Sequence, residues 1–446
     1  MEATPAHPQA MPGQPAGAAA RQKLIDDAVY RKVTWRIIPF LMLCYIVAYL
    51  DRVNVGFAKL QMLADLQFSE TVYGLGAGVF FLGYFLFEVP SNVMLHKIGA
   101  RVWIARIMIT WAVISGAFMF VTTPTQFYVM RFLLGIAEAG FFPGIILYLT
   151  YWYPSERRAR MVCTFMAAIP VAGLIGGPLS GWIMETFAGV HGYAGWQWMF
   201  VLEAVPAVIM GVAVLLYLDN SIRAAKWLTE DEKVILEQRI ATEAQGKVSH
   251  PSIRAMFADP RIWVMALIYF CCVMGQYSLT FWLPSLIKAA GVTGVLNIGL
   301  FTAIPYSFAV ASMILLGRSS DKYRERRWHM AIPLVIGAAA IVCSALAGAH
   351  NTGWAIFFLT IAAGGILAAS PMFWSLPTAF LGGVSAAAGI AAINSVGNLA
   401  GFAAPYMIGS IKDLTQSTDI AIYLLAAILV IGAVIIMRVP AKLVNK

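Results

Sequence analysis

The residues of this chain whose types invite chemistry are an adjacent acid–base pair, Asp51-Arg52, and two ions set seven residues apart, Arg131 and Glu138. Each interrupts a run that is otherwise apolar, YIVAYLDRVNVGF in one case and YVMRFLLGIAEAGFF in the other. At about 100° per residue, seven residues return to the same helix face within about 20°, so Arg131 and Glu138 share one stripe. Ionisable groups at membrane depth are expensive, and they normally face a bundle interior or a watery cavity. An arginine offers a planar fork suited to a carboxylate and stays charged at any relevant pH. Burial discourages ionisation of a carboxyl while a neighbouring guanidinium favours it, so its proton occupancy responds to what arrives beside it. The chemistry on offer is anion binding and proton exchange.

These groups need elements to hold them. Of 446 residues, 60% are hydrophobic and 12% charged, which places the chain among polytopic membrane proteins and excludes a soluble enzyme. Twelve apolar segments can be laid out: 34–59, 72–95, 102–121, 125–150, 160–186, 196–218, 261–289, 296–317, 328–348, 353–373, 382–411 and 420–438. Each is long enough to cross a hydrocarbon core of ~30 Å. Of the 31 Lys and Arg, only Lys59, Lys288 and Lys412 fall in the second set of alternating loops, and Arg52 and Arg131 fall within helices. The rest lie in the two tails, in the loops after spans two, four, six and eight, or in the span ends that border them, the side which the positive-inside rule assigns to the cytoplasm together with both termini. The net charge of +9 is therefore topology, and no nucleic-acid partner is expected.

Residues 1–33 read as a mostly disordered cytoplasmic tail, 34–218 as a first six-helix bundle, 219–260 as a cytoplasmic linker, 261–438 as a second bundle and 439–446 as a cytoplasmic end. Within the linker, Thr229 and Glu232 fit a capping box ahead of a short amphipathic helix ending near Ala241. Cys44, Cys163, Cys271, Cys272 and Cys343 lack metal-like spacing and read as packing residues; no metal site is expected.

Counting inward from the far end of each span puts Asp51 about eight residues deep, Arg131 about six and Glu138 about thirteen, or roughly 9 to 20 Å at 1.5 Å per residue. One cavity could hold all four charges. A purely structural ion-pair network locking span one to span four is the competing reading, but desolvation commonly cancels what such a network gains.

Two loops repeat each other 225 residues apart: His96-Lys97-Ile98-Gly99-Ala100-Arg101 and Gly317-Arg-Ser-Ser-Asp321-Lys322-Tyr-Arg-Glu-Arg326-Arg327. The second resembles the G-x-x-x-D-(R/K) signature of the major facilitator superfamily. The first is a degenerate copy, with Asn92 for the usual Gly and His96 for the usual Asp. YLDRVNVGFAKLQM, GYFLFEVPSN, RFLLGIAEAGFFPG and SDKYRERRWH narrow the resemblance to the anion:cation symporters of that superfamily, and within them to permeases for tartrate, sugar acids and aromatic acids. The resemblance implies an all-α membrane fold of twelve helices in two six-helix bundles, no enzymatic activity and no cofactor beyond a coupling proton. It further implies a monomeric carrier of a small organic acid in a bacterial inner membrane.

By the same resemblance Asp51 and Glu138 would carry protons, Arg52 would bind the anion, and Arg131 would hold Glu138 when ionised. Asp321, Lys322, Lys97 and Gly99 would serve the gating motif. Tyr49 and Tyr84 flank the charges, and Gln276, Ser370, Trp374, Asn394 and Asn398 supply amides, a hydroxyl and an indole that a hydroxy acid could meet. Glu88 and Glu203 are further acids within spans, read here as helix-end or gate contacts or as relay members. Gly173-x-x-x-Gly177-Pro178-x-x-Gly181 resembles, incompletely, a motif of drug-efflux members, and makes proton-coupled drug antiport the alternative.

Overall fold

The computed structural model describes residues 16–245, 259–374, 376–377 and 383–444. Among them eleven helices are long and apolar enough to cross a membrane. The first bundle comprises α1 (Ala16–Leu66), α2 (Glu70–Ile98), α3 (Ala100–Ala117), α4 (Pro124–Glu138) with α5 (Phe141–Thr150), α6 (Ser155–Met166) with α7 (Ala168–Thr186), and α8 (Gly195–Tyr217). The linker helix is α9 (Glu230–Gln245). The second bundle comprises α10 (Pro260–Ala289), α11 (Val295–Tyr323), α12 (Arg327–Ala347), α13 (Thr352–Phe373), α14 (Gly383–Asn398) with α15 (Ala400–Thr415), and α16 (Asp419–Arg438).

Three crossings expected as single helices are broken, the fourth after Glu138, the fifth at Ala167 and the eleventh at Leu399, and one helix outruns its expected span. α4 stops at Glu138 because Gly140 takes φ +85°, and a Cβ there would lie 2.3 Å from Ser91 Oγ. The eleventh crossing divides at Leu399 into two 16-residue helices, each about 24 Å long and too short alone. α1 has 51 residues, about 76 Å of helix, so it begins well inside the expected tail and continues past the expected end at 59. Lys59, counted above among loop residues, is thereby a buried helical lysine.

The capping box forms as expected: Thr229 N donates to Glu232 Oε2 at 2.9 Å and Glu232 N to Thr229 Oγ1 at 3.3 Å. α9 clasps the protruding part of α1 through Lys32 and Glu232 at 2.7 Å and through Arg239 and Asp26.

The bundles meet chiefly along three helix pairs, α2 with α15, α7 with α11 and α1 with α10, with a smaller contact of α2 with α14. Their closest approaches crowd into the half of the molecule distal to the termini, where glycine removes the side chain. A Cβ on Gly74 would sit 2.3 Å from Pro405 O, one on Gly177 2.7 Å from Gly299 O, and one on Gly181 2.8 Å from Val295 O. The glycines that resemble a drug-efflux motif thus serve here as the flat face against α11.

Polar contacts finish the distal closure. The first N–H groups of α2 lack partners within their own helix; Asp413 of α15 accepts from Glu70 N at 3.1 Å and Thr71 N at 2.7 Å. Its negative charge also suits the positive end of that helix. Glu70 in turn holds Lys59 at 2.7 Å and Lys412, while the Lys59 ammonium lies 3.1 Å from the Trp282 ring centre. Tyr73 donates to Phe281 O at 3.0 Å.

Gly74→Val forces α2 off α15, an overpacking cost of about 1–3 kcal/mol, and should hold the distal face open. In a cysteine-free background, maleimide should label Thr302→Cys, buried in the native protein, faster in the Gly74→Val variant. Unchanged labelling would show that this contact does not control closure.

Candidate functional site

Between the bundles lies a cavity of about 490 Å³, counting its open mouth. Tyr45, Tyr49 and Arg52 line it from α1, Phe81 and Tyr84 from α2, Tyr269, Gln276 and Tyr277 from α10, and Asn394 and Asn398 from α14. Tyr45, Tyr49 and Arg52 stand at i, i+4 and i+7, one stripe of α1. Tyr269 and Gln276, seven apart on α10, form the opposing stripe.

Arg52 is the charged centre of this wall. Its Nη2 donates to Glu138 Oε2 at 2.5 Å, while its Nε is buried with no hydrogen-bond partner, as is Glu138 Oε1. Tyr49, Phe80 and Tyr84 surround the guanidinium with ring centres 5.2–5.7 Å away. The break after Glu138 places this carboxyl on the last residue of α4, facing α1.

Arg131 does not hold Glu138, contrary to the expectation from their shared stripe. Seven residues amount to roughly 10 Å along the axis, and Arg52 from the neighbouring helix takes the carboxylate first. Arg131 instead donates to the α2 carbonyls of Gly76 and Ala77, both at 3.3 Å, and lies 5.0 Å from the Phe80 ring centre. It ties α4 to α2.

Nor do the four charges share one cavity. Consecutive residues on a helix point about 100° apart, so with Arg52 facing the cavity Asp51 turns into the first bundle. There it accepts from Trp111 Nε1 and Ser115 Oγ, each at 2.9 Å, with Asn54 Nδ2 at 3.5 Å. Glu203 lies in the same bundle interior and accepts from Ser180 Oγ at 2.6 Å.

On the second bundle, Gln276 Nε2 donates to Tyr49 OH at 3.2 Å and its Oε1 accepts from Ser370 Oγ at 2.7 Å. The Tyr49–Gln276–Ser370 chain therefore crosses the cavity between bundles, with Ser370 behind the wall. Trp374 also stands behind it, packed on Tyr269 with ring centres 4.9 Å apart. Asn394 donates to Glu88 Oε1 at 3.1 Å.

The motif residues lie far from the cavity. Gly99, at φ +100°, ends α2 and leaves room for Asn220, which accepts from Arg101 N at 2.9 Å. Lys97 is exposed. Lys322 is exposed in the last turn of α11; Asp321 precedes it in the same turn, and its side chain lies outside those described.

Sequence reasoning missed Tyr45, Tyr269 and Tyr277, although the i, i+4, i+7 spacing to Arg52 and the seven-residue spacing to Gln276 carried the signal. It also missed Asn54, although its i+3 spacing from Asp51 was legible, and Trp111 and Ser115, which reach Asp51 from another helix with no local pattern.

Two bundles closing on a charged central cavity define a membrane carrier. The chain belongs to the Major Facilitator Superfamily, which its sequence matches over residues 41–405. It is 52% identical over 416 residues to a "Putative tartrate transporter" of Agrobacterium vitis, covering 92% of this chain and 94% of that one. It is 49% identical over 420 residues to the "Putative metabolite transport protein NicT" of Pseudomonas putida, covering 94% and 96%. A "Quinolone resistance transporter" of Acinetobacter baumannii is 40% identical over 428 residues, covering 94% and 96%. Among solved structures, a bacterial homologue of the lysosomal transporter Spinster, inward-facing and occupied, matches the fold with a TM-score of 0.72 at 17% identity, covering 90% of this chain and 95% of that one. The chain is a transporter that resembles tartrate permeases, and its relatives are transporters, not enzymes.

The two arginines should separate by assay. Arg52→Met should abolish binding of the carried solute, a loss of roughly 2–5 kcal/mol for a desolvated charge pair, and Arg52→Lys should restore little because the fork is lost. Arg131→Met should cost about 1–3 kcal/mol of stability through the α2 carbonyls it abandons, seen as a lower melting temperature, with affinity for the carried solute retained. Reversal of the two phenotypes would reverse the roles.

Proposed function

We propose that this protein imports a small organic anion, a hydroxy or sugar acid such as tartrate, together with protons by alternating access. The observation that carries this reading is Arg52, whose guanidinium spends one nitrogen on Glu138 and keeps its buried Nε unpaired at the wall of a cavity otherwise lined by hydroxyls, amides, rings and the apolar Met166 and Ile169. A substrate carboxylate takes the fork; the hydroxyls of Tyr49 and Tyr84 and the amides of Gln276, Asn394 and Asn398 meet the hydroxyls of a hydroxy acid. Names of relatives that include tartrate transport agree with this class.

Coupling follows from charge balance in a low-dielectric site. Arg52 serves as counterion to Glu138 or to the substrate. A proton on Glu138 releases Arg52 to the anion, and loss of that proton draws the guanidinium back. Asp51, held next to Arg52 in the chain by neutral donors alone, carries the second proton. No other cofactor is required.

The termini and α9 lie in the cytoplasm of a bacterial inner-membrane protein, so the distal closure seals the periplasmic side and the cavity faces inward. One chain suffices, because its own two bundles form the whole cavity. A reporter fused after Gln245 should score as cytoplasmic; a periplasmic score reverses the orientation.

Drug antiport remains the second reading because of the quinolone-resistance relative. An apolar or cationic drug offers Arg52 no carboxylate and leaves it on Glu138, whereas an anion takes the place of Glu138. Uptake of labelled tartrate against efflux of a quinolone in proteoliposomes separates the two.

The deciding experiment concerns the carboxyls. Each net charge carried inward with the potential is worth about 2.3 kcal/mol per 100 mV, so a monoanion needs more than one proton, and a dianion such as tartrate more than two, before the electrical term favours uptake. Asp51→Asn and Glu138→Gln mimic the protonated forms and remove the titration. Counterflow of labelled substrate should persist in one or both, with accumulation under an imposed proton gradient lost. Accumulation surviving in both variants would make these carboxyls structural.

A further inference from the structure

Glu88 lies one turn beyond Tyr84 on α2, in the half of the helix nearer the termini, and is 5% exposed. Asn394 of α14 donates to its Oε1 at 3.1 Å, while its Oε2 is buried with no hydrogen-bond partner. The bond joins the two bundles. It also engages a cavity-lining residue, because Asn394 faces the central cavity. The amide on which a substrate would call is thus held from behind by an acid outside the Arg52–Glu138 charge balance.

The surroundings of Glu88 leave its charge to this one bond. On α2 itself Tyr84 is its titratable neighbour. From α1 comes Arg52, which is paired with Glu138 at the end of α4. α14 brings Asn394, α3 reaches the next turn with the Trp103 indole on Ser91, and α5 reaches it with Gly144. Among the described residues no cation forms an ion pair with Glu88.

We propose that Glu88 is a coupling residue whose proton decides whether the Asn394 amide bridges the bundles or serves the substrate. This rests on the proton-symport reading and adds a third titrating group to it. A hydrogen bond to an ionised acceptor is roughly twice as strong as one to a neutral acceptor. Ionised Glu88 keeps Asn394, draws α14 to α2 on the side of the termini, and sets a negative charge beside an anion site. Protonated Glu88 loosens that hold, leaves the amide to the anion and removes the repulsion. Both effects favour bound substrate when Glu88 is protonated. By linkage, bound substrate favours the proton on Glu88.

The first test needs neither substrate nor gradient. Spin labels on Lys97→Cys and Lys322→Cys, exposed residues at the terminal ends of α2 and α11, report the gap between bundles in full-length protein in nanodiscs. Between about pH 5 and 8 the native background should shift toward the shorter distance as pH rises. Glu88→Gln should lose that shift, and Glu88→Asp should keep it with a changed midpoint. A native response that is absent, or one that survives unchanged in Glu88→Gln, overturns the proposal. If Glu88→Gln does not fold, Glu88→Asp decides: an unmoved midpoint overturns it.

The second test uses tartrate as probe. Its affinity should fall at least about fivefold across the same range in the native protein, the lower end of ordinary coupling energies, and should be nearly flat in Glu88→Gln. A fall of equal size in Glu88→Gln overturns the role. Tartrate failing to bind native protein would defeat the substrate reading alone, and the distance measurement would still decide Glu88.

Discussion

A guanidinium buried beside apolar helices must be neutralised, and that requirement organises this protein. Arg52 satisfies it through Glu138 at 2.5 Å, with each partner keeping one buried polar atom unused. Removing either partner leaves an uncompensated buried charge, far costlier than an exposed pair broken in water. The bridge is therefore best replaced, never merely broken; in the proposed function an anion replaces Glu138 on Arg52 and a proton neutralises Glu138. The backbone serves the same end: the turn at Gly140 stops α4 on Glu138, so the carboxyl meets α1 and not its own helix neighbour Arg131.

Around this bridge the two bundles meet on glycine. Gly74, Gly177 and Gly181 bring backbone against backbone, a contact that depends on shape more than on specific bonds and that can slide or part at modest cost. Specificity of closure comes from the charges at its rim. Asp413 completes the unsatisfied start of α2, and Glu70 gathers Lys59 and Lys412.

The gross architecture was legible in the sequence because hydrocarbon permits little else than long apolar helices with basic loops. The candidate residues were legible because ions and amides are rare in such helices: Arg52, Glu138, Gln276 and Asn394 all reach the cavity region. What the sequence hid was direction. Asp51 and Arg52 are neighbours in the chain and face different ways, and Arg131 shares a stripe with Glu138 yet bonds elsewhere, because the third dimension supplied a nearer partner. The helix break after Glu138 was written only as a single glycine among many. Lys59 was misplaced for a related reason: a span cut to membrane thickness ended at 59, whereas α1 runs on and buries that lysine against Trp282.

One helix touches every part of this machinery. α2 carries Glu70 in the distal rim, Gly74 and Gly78 in the sliding face, the carbonyls that anchor Arg131, Tyr84 in the cavity wall and Glu88 against Asn394. Its partner is the broken crossing α14–α15, which carries Asn394 and Asn398 on one piece and Pro405, Lys412 and Asp413 on the other. Because both ends of α2 are tied to this one crossing, a tilt between them that parts Asp413 from the start of α2 must draw the other end of the pair together. The distal rim and the Glu88–Asn394 bond are then opposite ends of one lever, with the Arg52 cavity near its fulcrum. An ion that changes charge at the fulcrum is placed where a small rearrangement is felt at both ends, which is the geometry alternating access demands.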